Sequence, residues 1–368
     1  MPLKLYNYHT GNEMKSTHAK QSENSPANSR LKFRTAAAVM FLLLGICACG
    51  IRKDKAITEY VTASDLVTSM DGDEFSDIDV TSIPKIVKNA YADLSVPTYL
   101  TKVEDTYFLV DCYHNQVIYH DNLSDPLLEW KVMTNDIDKG HTLASDGVVY
   151  LIDDTERHRI LVFEKKNGLY IHTQTFDGIG SRPHYVIYDA PTYTFYAWSS
   201  MSGEMYLFRH NPDDTRMYLT EVRRIESLNN VYVRSFTIID DDIYFVSGNS
   251  SIIRADLQSF EIRETYPVPD SMAGMIQLTR IQDYYYITIS TDIAGNQDYA
   301  TIIRTKDLSS LIDGDYEDVY DNFIGGGTPY YITELDNAYY LTEHRLPGHS
   351  IWRFQVEDNE IIHAETIY

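Results

Sequence analysis

The chain is poor in cysteine, proline, glycine and basic residues, and each shortage argues against a class of protein. Its 368 residues include 3 cysteines, 12 prolines and 18 glycines. These counts exclude a disulfide-rich mini-protein, a collagen-like repeat and a proline-rich or glycine-rich disordered chain. Lysine and arginine number 31 against 54 acidic residues, so the formal net charge is −23. Such a negative surface repels phosphate backbones, and we expect no nucleic-acid partner.

Apolar and aromatic residues are abundant instead. Hydrophobic residues make up 43% of the chain and 30 residues are tyrosine. This content is enough to bury a core, and aromatic side chains are typical of strands rather than of helices. The composition therefore predicts an all-β protein.

The N-terminal region carries a positive cluster followed by a short apolar run. Residues 30–34 read RLKFR, and residues 36–49 read AAAVMFLLLGICAC. An apolar run of this length is shorter than the ~20 residues that cross a bilayer, and the order of charge then apolar run is typical of an export signal. We therefore expect this segment to be a cleaved signal peptide.

The end of that run, Ile46-Cys47-Ala48-Cys49-Gly50, resembles the lipobox of bacterial lipoproteins. Ala48 is the small residue expected at the cleavage site. The resemblance therefore implies that Cys49 carries the lipid anchor, with palmitate among its acyl chains. The expected organisation is a leader and signal peptide over residues 1–48, a lipidated cysteine and acidic tether over 49–92, and a folded domain over 93–368. The expected location is outside the cytoplasm, on the cell surface, attached to the membrane by the lipid.

Cleavage would leave Cys49 and Cys112 as the remaining cysteines. With Cys49 acylated, no disulfide can form within the chain, so stability depends on packing. Cys112 has no neighbour in sequence that would activate it, and we interpret it as a small buried hydrophobe rather than a reactive thiol.

One strand pattern, an aromatic residue followed by apolar residues, recurs six times along the chain. The anchor residues of the copies are 42, 46, 48, 42 and 54 residues apart, and they are Phe108, Tyr150, Tyr196, Tyr244, Tyr286 and Tyr340. An apolar strand precedes each anchor strand, and two more follow it. Four short strands in each of six copies predict a six-bladed β-propeller of four-stranded antiparallel blades. A β-sandwich is the alternative.

Two copies carry a family resemblance. The segments YFLVDCYHNQVIY (107–119) and VYLIDDTERHRILVF (149–163) resemble NHL repeats, in which an aromatic strand ends in Asp, turns, and leads into another apolar strand. Later copies have Ser199, Ser247, Ile289 and Glu343 at the place of that Asp. The resemblance implies membership of the superfamily of six-bladed NHL-like propellers over about residues 97–368.

In such propellers, loops at one mouth of the channel resemble a rim where ligands bind. The residues expected at that rim are Asp111, His114, His141, Asp153, Arg157, His158, Arg182, His184, Arg234, Glu343, His344 and Arg345. The leading hypothesis is a binding protein for a peptide, glycan or protein partner, with no cofactor and no metal.

Two alternatives use the same rim. Similarity to streptogramin lyases and to propeller polysaccharide lyases implies a lyase or hydrolase for an acidic sugar or lactone. In that reading, Arg182 or Arg234 neutralises the substrate acid, and His184 or His344 acts as base. Gluconolactonase-like propellers hold a central metal, so the carboxylates of Asp111, Asp153 and Glu343 could bind a divalent cation. Otherwise these carboxylates cap turns.

Overall fold

The computed structural model describes residues 57–59, 86–323, 327–346 and 348–368. The predicted signal peptide, Cys49 and most of the predicted tether lie outside the described residues. The described chain forms six small antiparallel sheets, each with a four-stranded core, arranged in a ring. The prediction of a six-bladed β-propeller is confirmed. None of the helices within these ranges has the length and apolar character needed to cross a membrane.

Each blade is built from consecutive strands, with the innermost strand first in sequence. Two short edge strands come first in the chain, β1 (Ile57–Glu59) and β2 (Val87–Lys88). Blade 1 contains β3 (Pro97–Val103), β4 (Thr106–Asp111), β5 (Gln116–His120) and β6 (Lys131–Thr134). Blade 2 contains β7 (Leu143–Ser145), β8 (Val149–Asp154), β9 (Arg159–Lys166) and β10 (Leu169–Phe176). Blade 3 contains β11 (Pro183–Asp189), β12 (Thr194–Ser199), β13 (Glu204–Arg209) and β14 (Tyr218–Arg224).

The second half of the ring repeats this order. Blade 4 contains β15 (Val233–Ile239), β16 (Asp242–Ser247), β17 (Ser251–Asp256) and β18 (Ile262–Pro267). Blade 5 contains β19 (Met275–Ile281), β20 (Tyr284–Ile289), β21 (Thr301–Thr305) and β22 (Glu317–Asp318). Blade 6 contains β23 (Thr328–Leu335), β24 (Ala338–His344), β25 (Ile351–Glu357) and β26 (Glu360–Thr366). The helices are short 3-10 turns at Cys112–His114, Leu127–Glu129, Glu226–Leu228, Asp270–Met272, Gln297–Tyr299, Leu308–Asp313 and Tyr320–Asn322.

The second strand of each blade forms the core of the sheet. Every residue of β8, β12 and β16 is buried, and all six anchor residues of the sequence repeat are buried as well. A strand buried on both faces needs a cover on each side, which a single sheet cannot supply. The neighbouring blades supply it, so the ring follows from the strand composition.

Apolar side chains fill the spaces between successive blades. Phe108 of blade 1 lies 5.4 Å from Tyr150 of blade 2, measured between ring centroids. Trp198 of blade 3 lies 4.6 Å from Phe245 of blade 4. Burying one such side chain contributes about 1.5–3 kcal/mol, so the blades stabilise one another chiefly by packing.

The ring closes between blades 6 and 1 without a shared strand. The Thr333 hydroxyl donates to the Leu100 carbonyl at 2.8 Å. Nearby, the Lys102 ammonium lies 2.8 Å from the Asp336 carboxylate. The Tyr368 hydroxyl donates to the Asp125 carbonyl at 2.6 Å. Contacts made by side chains therefore join blades 6 and 1 at this seam, because no strand pairing joins them.

The segment expected as a tether contributes strands to two blade edges. β1 pairs with β14, and β2 pairs with β6. Next to β2, Asn89 is buried, and its side-chain amide donates to the Leu127 carbonyl at 3.0 Å. The folded body therefore begins before residue 93 at the edge of blade 1.

Candidate functional site

A cavity of about 290 Å³ lies where the innermost strands begin, and we call it the axial cup. All six blades contribute to its wall, through Val96, Cys112, Tyr113, Lys139, His141, Glu156, Arg182, Tyr232, Arg234, Ile276, Ser290, Thr291, Gln297, Thr328, Tyr330 and His344.

Three tyrosine side chains pack together next to the cup. The ring of Tyr331 lies 5.9 Å from that of Tyr99 and 5.0 Å from that of Tyr185. Burial raises the pKa of Tyr99 to about 12, so its hydroxyl stays protonated at neutral pH. Tyr331 also lies 4.7 Å from the cup residue Tyr330, measured between ring centroids.

A β-bulge near the start of the innermost strand aims side chains into the cup. The strand register shifts between 97 and 99 in β3, 183 and 185 in β11, 233 and 236 in β15, 275 and 277 in β19, and 329 and 332 in β23. Bulges re-aim side chains at functional sites. His184, Arg234 and Tyr330 each lie within such a shift.

His141 enters the cup from blade 2, where Asp153 holds its backbone. The amides of His141 and Thr142 donate to the Asp153 carboxylate at 2.9 and 2.6 Å. The His141 Nδ1 lies 2.9 Å from the Thr155 hydroxyl, which lies 3.0 Å from Asp153 Oδ2. On its other side, His141 Nε2 lies 3.9 Å from the Sγ of Cys112.

The histidines around the cup differ in charge. Burial lowers the pKa of His141, but the Cys112 thiol and the Asp153 carboxylate raise it more, to about 10. His184 stacks on His141 at 3.7 Å, and burial together with that neighbouring charge lowers its pKa well below the usual value. Burial, Arg345 and Arg234 lower the pKa of His344 to about 4. At neutral pH, His141 is therefore protonated while His184 and His344 are neutral.

Arg234 places a positive charge in the cup wall without a carboxylate to balance it. Its Nη1 donates to the Ser290 hydroxyl at 2.5 Å and to the Gly274 carbonyl at 3.1 Å. Within the part of the chain that the structure describes, no carboxylate lies within ion-pair distance of Arg234. Arg182, by contrast, pairs with Glu156 at 3.0 Å.

Tyr232 lies beside Arg234 and responds to its charge. The guanidinium carbon of Arg234 lies 5.0 Å from the centroid of the Tyr232 ring. Burial raises the pKa of Tyr232, but the positive charges of Arg234 and His141 lower it more, so the net shift is downward. The cup is thus an electropositive site on a chain of net charge −23.

Several of the predicted site residues meet in the axial cup. His141, Arg182, Arg234 and His344 line it, and His184 packs against His141.

The predicted carboxylates Asp111, Asp153 and Glu343 are fully buried, each within its own blade. Asp111 accepts the Ser95 amide at 2.8 Å, and Glu343 accepts the Trp352 indole at 3.0 Å. Their roles match strand capping. Among residues 57–59, 86–323, 327–346 and 348–368, no group of three His, Cys, Asp or Glu side chains is placed to hold a metal ion.

The other predicted residues lie outside the cup wall. His114 pairs with Asp111 at 2.6 Å. Arg157 pairs with Asp136 at 2.6 Å. The ring of His158 accepts the Arg182 amide at 2.9 Å. Arg345 lines a separate groove of about 560 Å³ formed by residues of blades 1 and 6.

Sequence reasoning missed Cys112, Tyr232, Thr328 and Tyr330 as cup residues. Superposing the starts of the innermost strands would have found Tyr330, because it occupies the position of His184 after a proline. Cys112 gives no local signal, because its partner His141 lies 29 residues further along the chain.

Comparisons with known proteins define the class by fold. No family model and no curated protein matches the chain. A Bacteroides uniformis protein provisionally named a 6-phosphogluconolactonase is 13% identical, with a TM-score of 0.54 over 75% of this chain and 87% of that one. A similarly named Bacteroides fragilis protein is 12% identical, with a TM-score of 0.54 over 74% and 85%. A streptogramin B lyase is 17% identical, with a TM-score of 0.51 over 77% and 86%. At these identities the likeness shows a shared propeller fold.

Proposed function

We propose that the protein binds a small acidic sugar in the axial cup, with Arg234 contacting its carboxylate. The observation that carries this proposal is the unbalanced guanidinium of Arg234 in the cup wall. Burying part of a charge is costly unless an opposite charge or several hydrogen bonds compensate it. An anionic ligand would supply that charge, and a planar carboxylate matches the guanidinium geometry.

The dimensions and the aromatic residues of the cup support a sugar. A volume of about 290 Å³ accommodates one small ligand rather than a protein surface. Tyr232 and Tyr330 line the same wall, and tyrosine rings offer apolar faces to sugar rings while their hydroxyls form hydrogen bonds. The fold neighbours provisionally named 6-phosphogluconolactonase suggest a sugar acid as the ligand class.

The test is calorimetric titration of the protein with D-glucuronate and with D-glucose, which lacks the carboxylate. We expect glucuronate to bind and glucose to bind much more weakly. Arg234→Gln should weaken glucuronate binding by about 10- to 100-fold, because a hydrogen bond to a charged group contributes about 1.5–3 kcal/mol. The matched control is Arg280→Gln, an exposed arginine on β19, which should bind as the wild type does. Equal binding of both sugars, or an unchanged affinity in Arg234→Gln, would contradict the proposal.

A second candidate is a lyase or hydrolase acting on an acidic sugar or lactone in the cup. The observation that favours it is a protonated histidine, His141, and a neutral one, His344, on either side of Tyr330, whose ring lies 6.1 Å from that of His141 and 5.9 Å from that of His344. Residues whose environments push their pKa values apart are typical of acid–base pairs. Turnover of oligogalacturonate, followed by ultraviolet absorbance of the unsaturated product and lost in His344→Gln, would support elimination. Binding without turnover would favour the first candidate.

We also propose that the propeller is an NHL-like domain attached by a lipid on Cys49 to the outer side of a membrane. The support is the resemblance of residues 46–50 to a lipobox after a charged, then apolar, segment. Metabolic labelling with a palmitate analogue should modify the wild-type chain and the Cys47→Ala variant. Cys49→Ala should carry no label, and retention of label in that variant would move the site or refute lipidation.

A further inference from the structure

We propose that Cys112 is a nucleophile that accepts an acyl group from a carboxylate-bearing ester or lactone in the axial cup. The inference rests on the proposed function for the position of the substrate, because Arg234 holds the carboxylate while the acyl carbon faces the thiol. Beyond ligand binding, it assigns to the cup a covalent reaction in which an ester or lactone loses its alcohol oxygen.

The side chains around Cys112 have the order of a nucleophile, a base and an orienting group. Cys112 Sγ lies 3.9 Å from His141 Nε2, which is within hydrogen-bond distance for sulfur. His141 Nδ1 lies 2.9 Å from the Thr155 hydroxyl, and that hydroxyl lies 3.0 Å from Asp153 Oδ2. This is the arrangement that activates a cysteine and fixes the ring of its base. Thr155 and Asp153 act as positioning residues.

The environment of Cys112 differs from that of a core cysteine. Cys112 is 1% exposed, but it lines the cup and contacts an imidazole rather than aliphatic groups alone. The Cys112 thiol is one cause of the raised pKa of His141, so a positively charged imidazole lies beside the sulfur at neutral pH.

A second observation indicates that the cup awaits a ligand. Thr328 lines the cup and is 3% exposed, yet its hydroxyl has no hydrogen-bond partner among the described residues. Buried hydroxyl groups are nearly always hydrogen-bonded, so an unpartnered one at a cavity wall marks a place for a polar ligand atom. Thr328 approaches from blade 6, whereas Cys112 follows the second strand of blade 1, so the two observations are independent.

The proposed reaction balances with water as co-reactant. The thiolate of Cys112 attacks the acyl carbon, a carbon–sulfur bond forms, the carbon–oxygen bond to the leaving group breaks, and His141 Nε2 gives its proton to the leaving oxygen. Water then attacks the thioester while His141 takes one of its protons. The carbon–sulfur bond breaks with its electron pair returning to sulfur, and the acid is released.

The first test measures alkylation of the full chain by iodoacetate and iodoacetamide, with the Cys112 peptide quantified by mass spectrometry. A thiolate attacks the carbon of either reagent and displaces iodide, but only iodoacetate carries a carboxylate for Arg234. We expect faster alkylation of Cys112 in the native chain than in the denaturant-unfolded chain, and a higher ratio of iodoacetate to iodoacetamide rates in the native chain. His141→Gln should slow alkylation by both reagents by about 100-fold, the size typical of a lost acid–base group.

The outcomes separate the two proposals. If Arg234→Gln removes the preference for iodoacetate and keeps fast alkylation by iodoacetamide, both the anion site and the nucleophile are supported. If Cys112 reacts rapidly without any preference, the anion site fails and the nucleophile stands. If the native thiol reacts more slowly than the unfolded one with both reagents, the nucleophile is refuted. The comparison of native with unfolded protein uses the wild-type chain, so the test of the nucleophile does not depend on whether a variant folds.

The second test measures the acyl transfer itself with the mono-p-nitrophenyl ester of succinic acid, whose free carboxylate matches the cup. We expect release of p-nitrophenol and a succinyl adduct on the Cys112 peptide. Cys112→Ser should lose the thioester while keeping the unfolding temperature of the wild type, and the uncharged p-nitrophenyl butyrate should react at least about tenfold more slowly. Equal release by wild type and Cys112→Ser, with no adduct, would overturn the proposal.

Discussion

Replacing Asp153 with asparagine tests whether one buried carboxylate holds the blade 2 side of the axial cup in place. Oδ1 of Asp153 accepts the Thr142 amide at 2.6 Å and the Thr142 hydroxyl at 2.7 Å. Oδ2 accepts the His141 amide at 2.9 Å and lies 3.0 Å from the Thr155 hydroxyl. An asparagine has one oxygen, so its NH₂ group must face a backbone N–H that cannot rotate away.

The cost follows from these contacts. Losing a hydrogen bond to a charged group costs about 1.5–3 kcal/mol, and leaving the buried amide unsatisfied costs about 1–3 kcal/mol more. We expect Asp153→Asn to lower the free energy of unfolding by about 3–5 kcal/mol and the unfolding temperature by roughly 6–20 °C. It should also weaken ligand binding, because His141 loses its backbone contact.

The assay is thermal unfolding followed by circular dichroism, with glucuronate titration of the folded protein. The control is Asp121→Asn, because exposed Asp121 accepts a single hydroxyl, that of Thr106 at 3.1 Å, and an amide oxygen can accept it too. We expect the control to change stability by less than about 0.5 kcal/mol. An Asp153→Asn variant as stable as the control would refute the reasoning.

Three further predictions concern the seam between blades 6 and 1, a half-buried ion pair and the cup. Tyr368→Phe should lower the free energy of unfolding in urea by about 1 kcal/mol or more, whereas Tyr193→Phe, 76% exposed, should not, because Tyr368 contacts Asp125 and Trp130 across the seam. Burial lowers the pKa of His210, but Asp146 raises it more, so the net shift is upward. Protonated His210 stabilises the folded chain fully below its unfolded-state pKa of about 6.5, and this stabilisation is lost as pH rises through its folded-state pKa. The difference in urea midpoint between wild type and His210→Gln should therefore shrink with rising pH. A difference that stays constant would contradict this. In NMR spectra of ¹³C-labelled histidine, His344 should titrate near pH 4, and a midpoint near 6.5 would refute the effect of Arg234 and Arg345.

The sequence was sufficient for the architecture, because each blade repeats the same physical requirement. An anchor such as Tyr150 needs cover on both faces, and the spacing of the anchors set the number of blades. The short pairing of β2 with β6 could not be predicted, because two residues give no periodic pattern. The NHL resemblance stays a prediction.

The site was harder to predict because it depends on contacts between blades. Charge and loop position were enough to find Arg234 and His344, which line the cup. The same criteria also selected Arg157 and Arg345, which lie elsewhere, because sequence does not show which way a loop side chain points. Tyr232 and Cys112 were missed because their significance comes from Arg234 and His141, neighbours that only the closed ring provides.

The three packed tyrosines bear on how a ligand would reach the cup. The rings of Tyr99, Tyr185 and Tyr331 pack against one another next to the cup residue Tyr330. We therefore expect a ligand that reaches Arg234 to enter and leave through the same opening of the cup. Release therefore competes with the next arrival, and a bulky chain-end on the ligand would have to remain in solvent on the side from which it came.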